Sequence, residues 1–234
     1  MRASSRGRIF AVILAALSML CGCSGQKKAD APAFYTAPVE TTQNHSVSVQ
    51  FPITLPDSGL IAEELRLYQG PFWEDGSGDF VEDVAALMIC NPTQRMIAFA
   101  SFAVDTPEGQ LYFFAYRLPP NSRCLVLEYN RKTCHPERIM SCRELTVRWD
   151  TQELSREQID YVGLGPMMTI VNRDSQRLEH VTVWYKQYEK TGDYYLGGKA
   201  YSAHLFLLQP GQRRTVIPEH YDAAHARIVA IELK

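Results

Sequence analysis

The densest set of chemically able side chains lies between Glu219 and His225, where His220, Tyr221 and Asp222 also fall. Two neutral imidazoles with a carboxylate can bind zinc, and a zinc ion with one open position activates water for hydrolysis. His220, Asp222 and His225 are therefore the residues that would carry a metal-dependent hydrolase. The flanking sequence instead places them in a polar loop before a last strand, with no matching histidine set elsewhere. The expectation is no catalytic residue, no resident metal and no cofactor. Asp75, Ser77 and Asp79 have the i, i+2, i+4 oxygen spacing of calcium loops, but Phe80 stands where an EF-hand needs glycine and its twelfth-position glutamate is missing, so a solvated turn is expected. Cys134 and His135 are sequence neighbours, which a strand would point to opposite faces. HExxH, GxSxG and GxxxxGK[ST] are absent, and Gly163-Leu164-Gly165 lacks the third glycine of a dinucleotide fingerprint.

Aromatic side chains offer binding rather than catalysis. Phe72 and Trp73 follow a Gly-Pro break and open an acidic loop, and Tyr194-Tyr195 follow a Gly-Asp turn. Exposed rings at such places suit a protein or glycan partner. Trp149 and Trp184 lie in alternating runs and read as core.

The elements that must position these residues are strands. Val47, Val49, Phe51 and Ile53 alternate with Ser48, Gln50 and Pro52, a pattern that predicts a short edge strand. Further runs at 65–69, 84–90, 96–104, 111–116, 124–129 and 144–149 are separated by Gly, Pro, Asn and Asp clusters. A similar order returns at 168–171, 180–188, 200–208, 215–217 and 227–233. Asn91 corresponds to Asn172, Gln94-Arg95 to Gln176-Arg177, and Leu118-x-Pro120 to Leu208-x-Pro210. Helical periodicity is nearly absent; Ser155-Arg156-Glu157-Gln158 resembles a capping box for one short helix or turn between the halves. One-face alternation requires each sheet to cover its apolar side with another, so the fold class is all-β, two tandem antiparallel sandwiches, with one merged sandwich as the alternative.

In the second half, Val181-Thr182-Val183-Trp184-Tyr185, Tyr188-Glu189 before Gly192 and Leu208-Gln209-Pro210-Gly211 resemble the small Ig-like FxLYD-type domains of bacterial lipoproteins. The first half departs from that pattern with Val104-Asp105 and Pro120-Asn121. The resemblance covers the stretch from Val84 to Leu233 and implies Ig-like architecture for both halves.

The amino terminus supplies an address. Arg2, Arg6 and Arg8 precede an apolar run from Ile9 to Leu20, too short to span a bilayer and shaped like a secretory signal. Leu20-Cys21-Gly22-Cys23 resembles a bacterial lipobox, which implies lipidation of Cys23 after removal of residues 1–22. The expected organisation is a signal peptide (1–22), a lipidated end and tether (23–58), a first Ig-like sandwich (59–150) and a second (151–234). The 24 basic and 26 acidic residues become 21 and 26 once the three signal arginines are removed, which argues against nucleic acid as partner. The partners expected are the membrane, through the lipid anchor, and another envelope protein or a cell-wall glycan. The expected place is a membrane, facing away from the cytoplasm, and the expected role a non-enzymatic binding or structural module. There Cys90, Cys124, Cys134 and Cys142 could form disulfides, with three connectivities if all pair; Cys134 and Cys142 are close enough in sequence to staple one hairpin.

Overall fold

The computed structural model describes residues 49–150 and 157–234. Cys23, the signal and most of the tether lie outside the described residues, as do Val47, Ser155 and Arg156. The described chain is all-β and contains no helix. Its strands are β1 (Ile53–Thr54), β2 (Ile61–Pro71), β3 (Phe80–Asn91), β4 (Ile97–Thr106), β5 (Gly109–Leu118), β6 (Ser122–Leu127) and β7 (Ser141–Trp149). There follow β8 (Ile159–Leu164), β9 (Met167–Asn172), β10 (Leu178–Glu189), β11 (Tyr194–Leu208), β12 (Arg213–Val216) and β13 (Ala226–Leu233).

Two corrections concern the sequence reading. Of the predicted edge strand only Ile53 and Thr54 pair, with Ala62 and Ile61, while Val49 and Phe51 pack on the core without a ladder. Residues 49–58 therefore belong to the folded unit, and Leu55 within them is fully buried. Glu157 and Gln158 form a turn, one of the two expectations for that segment. The second correction is a strand that the pattern hid. β8 alternates poorly, since its single buried residue is Ile159, and the sequence reading places no strand there.

Each half uses the same pairing orders. In the first, β2-β3-β6 faces β5-β4-β7; in the second, β8-β9-β12 faces β11-β10-β13. The repeated asparagines explain how. Asn91 and Asn172 end equivalent strands, are fully buried, and use the side-chain amide to tie two turns together. Asn91 Nδ2 donates to the carbonyls of Arg95 (2.9 Å), Leu118 (3.3 Å) and Pro119 (3.0 Å). Asn172 Nδ2 donates to those of Gln176 (2.8 Å) and Leu208 (2.9 Å). Neither turn could be left without donors so deep in the protein. The turns that follow Leu118 and Leu208 both need a left-handed residue, and Asn121 (φ 49°) and Gly211 (φ 70°) supply it.

The halves do not remain separate sheets. β6 pairs in parallel with β11, Tyr195 opposite Cys124 and Leu196 opposite Leu125, giving one seven-stranded sheet, β1-β2-β3-β6-β11-β10-β13. The two three-stranded sheets cover opposite faces of its opposite ends. Ala85, Leu87, Ile89, Cys124 and Val126 join the first core with Phe102 and Phe113; Val181, Val183, Tyr185, Tyr201 and Leu205 join the second with Met168 and Ile170. Contacts unite the described residues into one compact unit.

A bulge in β11 makes this change of face possible. Tyr201 opposes Tyr185 and Leu196 opposes Gln187, so five steps along β11 match two along β10. The three extra residues, an odd number, turn Tyr195 toward the first core and Tyr201 toward the second. Bulged backbone loses its ladder partners, and two charged side chains replace them. Lys186, fully buried, donates from Nζ to the carbonyls of Gly198 (2.6 Å), Lys199 (3.0 Å) and Tyr116 (3.1 Å). Glu74, from the β2–β3 loop, accepts from the N–H groups of Leu127 (2.8 Å) and Gly198 (2.7 Å) at Oε1 and of Lys199 (3.2 Å) at Oε2. Gly197 holds φ 77°, and a Cβ at Gly198 would lie 1.7 Å from the carbonyl oxygen of Phe114. Both glycines are demanded by this close approach.

Candidate functional site

Of the four aromatic residues expected at a binding surface, the structure buries Phe72 and Tyr195 and leaves Trp73 and Tyr194 half-buried. Phe72 is 1 % exposed and seals a small cluster with Val84, Ala86, Met88, Leu125 and Leu127. It offers no ring to a partner because that face of β3 and β6 would otherwise be bare. Trp73 packs against the second core, its backbone carbonyl accepting from the Tyr201 hydroxyl at 2.8 Å and its buried Nε1 without a partner. Tyr194 is half-buried under Arg66, whose Nη2 donates to the tyrosine hydroxyl. Tyr195 is 9 % exposed but lines both of the clefts described below.

The oxygen triad at the tip of the same loop is filled by protein. Arg131 Nη2 lies 2.6 Å from Asp75 Oδ2, 3.3 Å from Ser77 Oγ and 3.2 Å from Asp79 Oδ2. Burial pushes the Asp75 carboxyl up, but the Ser77 N–H and hydroxyl and the Arg131 guanidinium outweigh it and bring the pKa to about 2. The solvated turn is thus an arginine-bound turn, and its spacing serves a guanidinium.

The histidine-rich segment is tied to neighbouring strands instead of converging on an ion. His220 sits against Trp73 and Tyr201, ring centroids 6.0 and 4.8 Å away. Asp222 Oδ1 accepts from the Ala224 N–H, and the Asp222 carbonyl from those of His225 and Ala226. His225 is exposed, and its carbonyl accepts from the Tyr188 N–H. Among the described residues no three His, Cys, Asp or Glu side chains form a metal-holding group. Cys90, Cys124, Cys134 and Cys142 are all free, so no disulfide, including the Cys134–Cys142 staple, forms among the described residues. Cys124 and Cys134 are core residues whose thiols burial pushes up to about 11, which leaves them inert.

Sequence reasoning missed the Glu74–Lys186 pair, because neither residue belongs to a spacing motif. The hint was a charged residue, Lys186, in the apolar alternation of β10. Burial raises the Glu74 carboxyl, opposed by its backbone N–H donors and the charge of Lys186; burial lowers the Lys186 ammonium, opposed by Cys124 and Glu74. With every polar atom of the pair turned to backbone, this is a structural device and not a reactive one.

The open chemistry lies beside it. The Glu219–His225 loop docks on the β8–β9 hairpin through Ala223 N–H to the Gly165 carbonyl (2.9 Å). A Cβ at Gly163 would meet the Tyr221 hydroxyl at 2.3 Å, so glycine there lets Tyr221 lie across β8. Tyr221 is further held edge-on to Tyr185, centroids 5.3 Å apart. The result is a cleft of about 460 Å³ walled by Tyr161, Tyr195, Tyr221, Arg227 and Ile228. A second, of about 240 Å³, shares Tyr195 and Arg227 and runs to the Pro119–Arg123 turn and Tyr188. Arg227 lies over the Tyr188 ring, 3.3 Å from its centroid, and pairs loosely with Asp193 (3.9 Å). Tyrosine hydroxyls and a guanidinium around an apolar wall are suited to a ligand rich in hydroxyl or carbonyl oxygens.

Neither family models, nor curated proteins, nor solved structures match this chain.

Proposed function

We propose that the protein is a non-enzymatic envelope lipoprotein, two Ig-like sandwiches fused edge to edge, that binds its ligand in the tyrosine-lined cleft. The observation that carries this reading is the wall of Tyr161, Tyr195 and Tyr221 beside the exposed guanidinium of Arg227, in a cleft of ligand size. The shared strand orders of the two halves support the duplicated Ig-like architecture. The lipobox-like Leu20-Cys21-Gly22-Cys23 supports a lipid anchor at Cys23, and two acyl chains would hold the protein firmly at about 0.8 kcal/mol per buried CH₂. Cell-wall glycan and a neighbouring envelope protein are the partner classes.

Two experiments test it. Replacing Cys23 with Ala should move the protein from the membrane fraction to the soluble one and abolish fatty-acid labelling. Co-sedimentation with purified cell-wall sacculi, alongside cross-linking on intact cells, should capture wild-type protein and lose at least about tenfold in Tyr161→Ala and Arg227→Ala, the scale of a truncated binding anchor. Capture unchanged in both variants would refute the cleft as the binding site.

A further inference from the structure

The face of β10 and β11 that projects beyond the β5-β4-β7 layer carries an arrangement with no role in the cleft. His180 and His204 stand on adjacent strands, with Thr182 directly opposite His204. His180 Nε2 lies 3.1 Å from His204 Nδ1, and Thr182 Oγ1 lies 3.3 Å from each. Three donors thus mark a near-equilateral triangle. Two nitrogens bound to one first-row divalent ion at about 2.0–2.1 Å and separated by 3.1 Å subtend about 98°. That angle falls between the cis right angle of tetragonal Cu(II) or octahedral Ni(II) and the tetrahedral angle of Zn(II).

The surroundings hold both rings in place. His180 stacks on Phe206 with centroids 4.6 Å apart and planes 5° from parallel. Ser202 Oγ lies 3.1 Å from His204 Nε2, so that nitrogen can donate its proton outward and leave Nδ1 bare. An outward hydrogen bond of this kind fixes the tautomer and orientation of metal-ligating histidines. His204 is exposed and Thr182 is 4 % exposed, which puts the imidazoles at the surface and the hydroxyl at the floor. The carboxylate nearest in register, Glu232 opposite Thr182, is occupied by Arg117.

We infer that His180 and His204 form a surface chelate for one divalent transition-metal ion, with Thr182 Oγ1 as a weak third ligand and water completing the shell. With His204 Nδ1 bare, the proton between the rings sits on His180 Nε2; on binding it moves to His180 Nδ1, and both imidazoles ligate neutral. Affinity follows the order Cu(II) above Ni(II) above Zn(II), since the donor set imposes no stronger preference. The two histidines come from strands 24 residues apart in sequence, so the folded chain binds far better than the unfolded one, and the ion raises Tm.

The test is titration of untagged full chain with Ni(II), which thiols do not reduce, read by calorimetry and by thermal unfolding. One equivalent should bind saturably and raise Tm. His180→Ala and His204→Ala should each weaken binding at least about tenfold, and Ser202→Ala by about tenfold, within the range for outer-shell partners. His135→Ala, an exposed histidine elsewhere, should bind as wild type. Cu(II) on the wild type should give an electron paramagnetic resonance spectrum with two nitrogen ligands. Absence of saturable binding, or binding that survives both His180→Ala and His204→Ala, overturns the site.

Discussion

The sheets β2-β3-β6 and β8-β9-β12 are equivalent in pairing order and opposite in circumstance. In the first, an eight-residue connection (72–79) folds back over the outer face, and Val84, Ala86 and Met88 are buried beneath Phe72. In the second, the connection is Gly165-Pro166, and the outer face keeps Val162, Leu164, Met167 and Ile217 between 38 and 72 % exposed. The edges differ in the same way: β6 continues into β11, whereas β12 ends its sheet. One loop accounts for both differences. It brings Phe72 to the face and Glu74 to the edge, where the carboxylate bridges Leu127 on β6 with Gly198 and Lys199 on β11. A single long connection in one half thus helps to join the two halves into one body.

The largest expected effect comes from breaking that bridge. Glu74→Ala strands three N–H groups and leaves Lys186 without its counter-charge, so urea unfolding should show a loss of about 3–5 kcal/mol. A loss below about 1 kcal/mol would mean that the join does not depend on the loop. Next come the two asparagine clamps, which measure how equivalent the halves are. Asn91→Ala and Asn172→Ala should each cost about 1–3 kcal/mol, the penalty for unsatisfied buried groups, and the two costs should agree within a factor of about two. A neutral effect at one position would break the structural repeat there.

The asparagines also show what could be read from the chain alone. Their spacing to the following turns is visible because a side-chain clamp constrains both partners in sequence. Most strand positions followed from alternation and turn residues, whereas the order in which the strands pair did not. β8 escaped because its outer face is uncovered, so neither alternation nor a polar rhythm marks it. The Phe72 ring was misplaced because a flanking Gly-Pro break signals a loop without saying that the loop folds inward. Glu74 and Lys186 were invisible for a different reason: they pair with backbone, and backbone contacts leave no trace in residue spacing. Tyr195 was named from sequence and lines the cleft, but Tyr161, Tyr221 and Arg227 come from three other segments that only the fold assembles.

Smaller effects sharpen the contrast between covered and bare faces. Leu164→Thr and Ile217→Thr remove side chains that are 69 and 72 % exposed, so stability should change by no more than about 0.5 kcal/mol. A loss above about 2 kcal/mol would show that the second face is covered after all. The smallest effect belongs to the tip of the loop. Asp75 has its pKa lowered from 3.8 to about 2, so its contribution is fully present above about pH 4 and is lost as pH falls through 2. Arg131→Ala should abolish part of that acid dependence, read as the difference in unfolding midpoint between pH 5 and pH 2.

If the β6–β11 pairing and Glu74 make the two halves one cooperative body, scanning calorimetry of the wild-type protein decides it. A single unfolding transition is predicted, with calorimetric and van't Hoff enthalpies equal. Two resolved transitions, each with the enthalpy of half the folded chain, would contradict it.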